Sequence, residues 1–167
     1  MKNYIARCLA TLMLTFFIVA CGFHLRGVAD LAFNRLYIKG SSSISKDLAS
    51  TLRTNGVNIV SQPEDAEILF EFMSDGVEKR ILSLGGTGSV REFELFYRVK
   101  FRIRAASEEL WGPEQMIESR RDFSYLDTEL LAKSYEETML YEDMRRDATR
   151  ELMRRLVAQK PKAKTLK

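Results

Sequence analysis

Residues 91–105, REFELFYRVKFRIRA, leave little freedom in what this chain can become. Phe93, Leu95, Tyr97, Val99, Phe101 and Ile103 alternate without a break with Glu92, Glu94, Phe96, Arg98, Lys100, Arg102 and Arg104. A period of two puts the first set on one face, which predicts a strand lying with that face against a core. Its backbone groups need partners, and the flanking segments supply them. GGTGS at 85–89 reads as a turn, as does SEELWGP at 107–113. EQMIESRRDFSYL then returns as a second strand, making a hairpin. Before the first turn, AEILFEFMSDGVEKRILSL at 66–84 has strand composition with Asp75-Gly76 at its centre. That pair is either a hairpin turn or a bulge in one long bent strand. The bulge is preferred, because only short arms flank a turn there.

The remaining elements have local signatures. RLYIKG is a short strand ending at Gly40, VNIV is another, and Pro63-Glu64-Asp65 is a turn. SSSISKDLASTLRTNG is a helix with Ser43 as its expected N-cap, an apolar stripe of Ile44, Leu48 and Leu52, and Gly56 at its end. A longer helix is expected from Asp127 or Thr128 to about Ala158, buried along Leu140, Met144, Ala148, Leu152 and Leu156. The order is β, α, β, β, β, β, α. Short turns between adjacent strands favour antiparallel pairing, and two amphipathic helices can cover one sheet face. The expectation is an α+β two-layer sandwich: a mostly antiparallel, four- to five-stranded sheet with both helices on one face. With no internal repeat and no low-complexity linker, residues 21–158 read as a single domain.

The first twenty residues obey a different pattern. MKNYIAR is short and basic, and CLATLMLTFFIVA follows with 13 uncharged residues. That run is too short to span a bilayer as a helix and has the order of a secretory signal. Ile18-Val19-Ala20-Cys21 resembles the bacterial lipobox, in which the cysteine thiol is acylated, the chain is cut before it and the new amino group is acylated in turn. The resemblance implies a lipoprotein signal over 1–20 and a lipid-bearing Cys21. Gly22 rather than aspartate follows, which implies sorting to the outer membrane. Without residues 1–20 the chain keeps 24 basic and 23 acidic side chains. A body so near neutrality gives no argument for nucleic-acid binding. QKPKAKTLK, residues 159–167, is expected to be a basic, disordered tail.

Few residues carry chemistry. His24 is the sole histidine, three positions from the expected anchor, and no second histidine or spare cysteine completes a metal site. GGTGS lacks the Lys-Ser/Thr of a phosphate loop and opens no helix. No carboxylate pair is singled out. The expectation is no enzyme activity, no cofactor and no metal. Arg98, Lys100, Arg102 and Arg104 project from the face opposite the core. They either pair with carboxylates across the hairpin, Arg102 near Glu118 and Arg98 near Asp122, or meet an anionic partner.

Four stretches then converge. CGFHLRG after the lipobox, EKRILSL before the glycine turn, REFELFYRVKFRI, and LLAKSYEETMLYEDMRRDATRELMRRL together resemble the LptE family of lipopolysaccharide (LPS) assembly lipoproteins. The resemblance runs from the signal to the end of the second helix. It implies an outer-membrane lipoprotein that fills, one-to-one, the lumen of the LptD β-barrel. Such a protein helps the barrel assemble, binds LPS and supports its insertion into the outer leaflet. It also implies LPS contact by basic residues near a strand–turn end and near the start of the last helix. Lys133 matches the second position. At the first, this chain has glycines, and Arg80 and Arg91, which flank that turn, are the candidates. Lipid A phosphates are the groups such side chains would pair. The competing reading is a free periplasmic lipid or lipoprotein carrier, which needs an enclosed apolar cavity.

Overall fold

The computed structural model describes residues 31–125 and 130–159. The expected signal, Cys21, His24, Arg26, the expected helix start at Asp127 or Thr128 and the tail from Lys160 lie outside the described residues. Strand β1 is Arg35–Lys39, helix α1 Ser43–Thr54, β2 Asn58–Val60, β3 Ile68–Leu84, β4 Val90–Ala105, β5 Gln115–Ser124 and α2 Leu130–Val157. Pro63–Asp65 forms one turn of 3-10 helix between β2 and β3.

The sheet order is β2-β1-β3-β4-β5. β3–β4 and β4–β5 are antiparallel, but β1 is parallel to both β2 and β3. The sheet is therefore mixed, where a mostly antiparallel one was expected. The reason is connectivity: α1 is a crossover between β1 and β2, and a strand–helix–strand crossover sets its strands parallel. The chain then returns through Pro63–Asp65 to the other side of β1, so β2 and β3 are not neighbours.

The cap of α1 is Ser42, one residue before the expected Ser43. Ser42 Oγ accepts the Ser45 N–H (3.3 Å) while Ser45 Oγ accepts the Ser42 N–H (2.9 Å). This reciprocal capping box needs an acceptor three residues on. Ser42 has Ser45 there, whereas Ser43 would have Lys46. β3 is one 17-residue strand, as preferred from the sequence. Its irregularities lie between Phe72 and Ser74 and between Ile81 and Leu84, while Asp75 and Gly76 pair regularly with Val99 and Arg98.

Both helices cover one face. The core joins Leu36, Phe70, Leu95, Val99 and Phe101 of the sheet to Ile44, Leu48 and Leu52 of α1 and Met144, Ala148, Leu152 and Leu156 of α2. Burying each large side chain contributes roughly 1.5–3 kcal/mol. Phe70 and Phe101 stack with centroids 5.1 Å apart. Arg145 Nε to Asp47 Oδ2 (2.7 Å) ties α2 to α1. Toward the β3–β4 turn the core thins, and Val77, Ile81 and Leu84 stand more than half exposed. No described helix is long and apolar enough to cross a membrane.

Candidate functional site at the distal end of the sheet

Two surfaces hold the basic residues singled out from the sequence. The open sheet face is a lattice of cross-strand ion pairs. Glu71 lies between Lys39 (2.7 Å) and Arg102 (2.5 Å). Glu78 lies between Arg80 and Arg98, and Arg98 also reaches Glu118 (2.5 Å). Arg120 meets Glu94 (3.0 Å) and Lys100 meets Glu114 (3.2 Å). Phe96 points out on this face yet is only 6% exposed, roofed by the guanidiniums of Arg80 (4.9 Å) and Arg98 (4.6 Å). Arg98, Lys100 and Arg102 are thus occupied within the sheet, as the pairing alternative holds, whereas Arg104 donates to the Glu108 and Glu109 carbonyls (2.9 and 3.0 Å) of the following connector. Their partners differ from those expected: Arg98 meets Glu118 rather than Asp122, and Arg102 meets Glu71 rather than Glu118. The β4–β5 turn causes the change. It folds back at Gly112, whose N–H donates to the Ile103 carbonyl (3.1 Å), and β5 begins with Gln115 opposite Phe101.

The second surface lies at the distal end, where β4 begins, β5 ends and α2 starts. Phe93 pairs with Phe123, and the Tyr125 N–H donates to the Arg91 carbonyl (2.8 Å). The Tyr125 ring contacts Phe93 edge-on (5.3 Å) and Phe123 (6.5 Å). Two ammonium groups sit on this aromatic cluster. Lys79 Nζ is 4.1 Å from the Phe93 centroid and 5.6 Å from Phe123, and pairs with Glu137 (2.5 Å). Lys133 Nζ is 5.4 Å from the Phe123 centroid, 2.9 Å from Glu136 and 3.4 Å from Ser124 Oγ. The Lys133 side chain is only 12% exposed, so it is a packed residue and not a free surface charge.

Arg91 is the extra residue of an irregularity. Ser83 pairs with Glu92 and Leu84 with Val90, leaving Arg91 without a partner on β3. It is exposed, and its aliphatic stem runs beside Gly85 of the turn. The structure therefore brings Arg91 and Lys133 to one end of the molecule. It places Arg80 on the opposite sheet face, paired with Glu78. Lys79 is the residue sequence reasoning missed. Its signal was a lysine between Val77 and Ile81 on an otherwise apolar face.

Elsewhere, a cleft of about 390 Å³ lies where the two helices meet β3, lined by Asp75, Val77, Tyr97, Tyr141, Glu142 and Arg145. Burial, then the neighbouring Asp75, raise the Tyr97 phenol well above its ordinary range, so it stays a proton donor. The Tyr97 hydroxyl donates to Asp75 (3.4 Å). This cleft is open and has the charged Asp75, Glu142 and Arg145 in its lining, unlike the enclosed apolar cavity a lipid carrier needs. Among the described residues, no group of three or more His, Cys, Asp or Glu is arranged to hold a metal.

The family model for lipopolysaccharide assembly, LptE, matches residues 33–156. The chain belongs to the LptE family. An LPS-assembly lipoprotein LptE from Photorhabdus laumondii is 28% identical over 155 residues, 86% of this chain and 83% of that protein. Lipoprotein B from Nitrosomonas europaea, solved in solution, is 41% identical with a TM-score of 0.71, covering 82% of this chain and 91% of that one. The rare lipoprotein B from Shewanella oneidensis is 30% identical with a TM-score of 0.68, covering 75% and 95%. Membership assigns the chain a role in LPS assembly, and LptE-family proteins are non-enzymatic lipoproteins.

Proposed function

We propose that this LptE-family chain is an outer-membrane lipoprotein that pairs one-to-one with an LptD-type β-barrel. In this reading residues 1–20 are removed, Cys21 carries the acyl chains, and residues 21–158 form the domain that sits on the periplasmic side and within the barrel lumen. The domain aids barrel assembly and supports LPS insertion. Several acyl chains make release from the membrane negligible. The tether also raises the domain's effective concentration at the barrel.

The observation that carries the LPS part is the distal end. Arg91 offers an exposed guanidinium with no carboxylate of its own among the described residues. Lys133 and Lys79 hold ammonium groups over aromatic rings nearby. Cations of this kind suit lipid A phosphates, and the exposed Val77, Ile81 and Leu84 beside them suit its acyl chains. Arg80, paired on the other face, is the weakest of the three candidates. The test is purification of the tagged full chain from detergent-solubilised outer membranes. Co-elution with the barrel in equal amounts supports the reading. A barrel that assembles normally in cells depleted of this chain overturns it.

A further inference from the structure

The cleft where the two helices meet β3 has a one-sided hydrogen-bond chemistry. Asp75 stands on the helix side of the sheet, because it pairs with Val99, a core residue. It accepts the Tyr97 hydroxyl (3.4 Å), and among the described residues no cation pairs with it. The Tyr141 hydroxyl donates to the Glu78 carbonyl (3.3 Å), and the Thr138 hydroxyl to the Ser134 carbonyl (3.0 Å). Both phenols are raised above their ordinary range, chiefly by burial, so their protons stay in place. What these three hydroxyls have left to offer is lone pairs, beside the carboxylates of Asp75 and Glu142. Arg145 is the one basic residue of the described lining. Its Nε is bound to Asp47 of α1 (2.7 Å), which answers its charge. A lining of acceptors with surplus negative charge fits a ligand made of donors.

We propose that this cleft receives an arginine side chain from the inner wall of the barrel, an inference that rests on the assembly reading above. A guanidinium carries five N–H donors, no acceptor and a flat face that suits an aromatic ring such as Tyr141. Val77, in the same lining and more than half exposed, gives the arginine's methylene stem an apolar contact. An arginine seated among acceptors and aromatic groups is the kind of residue that dominates protein interfaces. Sugar hydroxyls, the competing ligand for an LPS-assembly protein, accept as well as donate and would find few donors here in return.

The test is retention of the barrel on the tagged full chain, purified from detergent-solubilised outer membranes and washed with salt. Asp75→Asn keeps the shape and the Tyr97 bond but removes the charge. Thr138→Arg leaves every core residue in place and offers the acceptors a guanidinium from an exposed position on α2. Each should hold at least about tenfold less barrel than the parent while melting with it, and Asp75→Glu, which keeps the charge, should restore retention. Because T138R removes nothing from the fold, a folding defect in D75N does not decide the outcome. A parent chain that brings down no barrel would overturn the assembly reading and this inference with it. A parent that does, with D75N and T138R holding as much, would overturn this inference alone. So would purified D75N that loses LPS binding but keeps the barrel, since the cleft would then belong to LPS.

Discussion

Lys79 shows how a single side chain can be plain in the sequence and still unread. It interrupts the alternation of Val77 and Ile81, but its face depended on whether Asp75-Gly76 was a turn or part of a strand. Once β3 is continuous, Lys79 falls on the helix side, over Phe93. Arg91 and Lys133 were legible as candidates and differ in kind. Arg91→Glu is expected to weaken LPS binding by purified protein several-fold while leaving the thermal midpoint unchanged, since the side chain is exposed and has no carboxylate partner among the described residues. Lys133→Asp should weaken binding too, and also destabilise the fold by about 1 kcal/mol, because its ammonium packs against Phe123 and Ser124. Binding unchanged in both variants would make these residues structural charges only.

At the scale of elements, strand and helix positions were readable because period-two and helical stripes are local signals. Cap and register details were not, because they depend on partners. The capping box puts the cost of Ser42→Ala at about 1 kcal/mol in chemical denaturation. Ser43→Ala should stay within about 0.5 kcal/mol. Equal losses would contradict the assignment of the cap. Gly40→Ala should cost roughly 1–2 kcal/mol, since φ is 97° and Phe72 lies against the new methyl. The cross-strand pairs Arg98–Glu118 and Arg102–Glu71 could not be placed from composition alone. They depend on how far the 106–114 connector folds back, and Gly112 against Ile103 sets that.

Over the whole molecule, the two-layer α+β architecture was legible, and the sense of β1 was not. Pairing order is a non-local property: nothing within RLYIKG says that it lies between β2 and β3. Ion-paired glutamates on the open sheet face and on α2 give the fold a pH signature. Lys39 and then Arg102 hold the Glu71 carboxyl below its ordinary value of 4.5. Arg80 and then Arg98 do the same for Glu78, and Arg155 and then Arg154 for Glu151. Groups lowered by folding contribute stability that is fully present above the ordinary glutamate range and is lost as pH falls through the folded values. Urea midpoints should therefore hold between pH 7 and 6 and drop below about pH 4; a midpoint that rises on acidification would contradict the pairing. The central claim is that the distal end, not the open sheet face, meets LPS. A photoreactive residue at position 91 or at position 118, in the full chain in living cells, tests it most directly. Irradiation should yield LPS adducts at 91 and none at 118. Adducts at 118 with none at 91 would contradict the account.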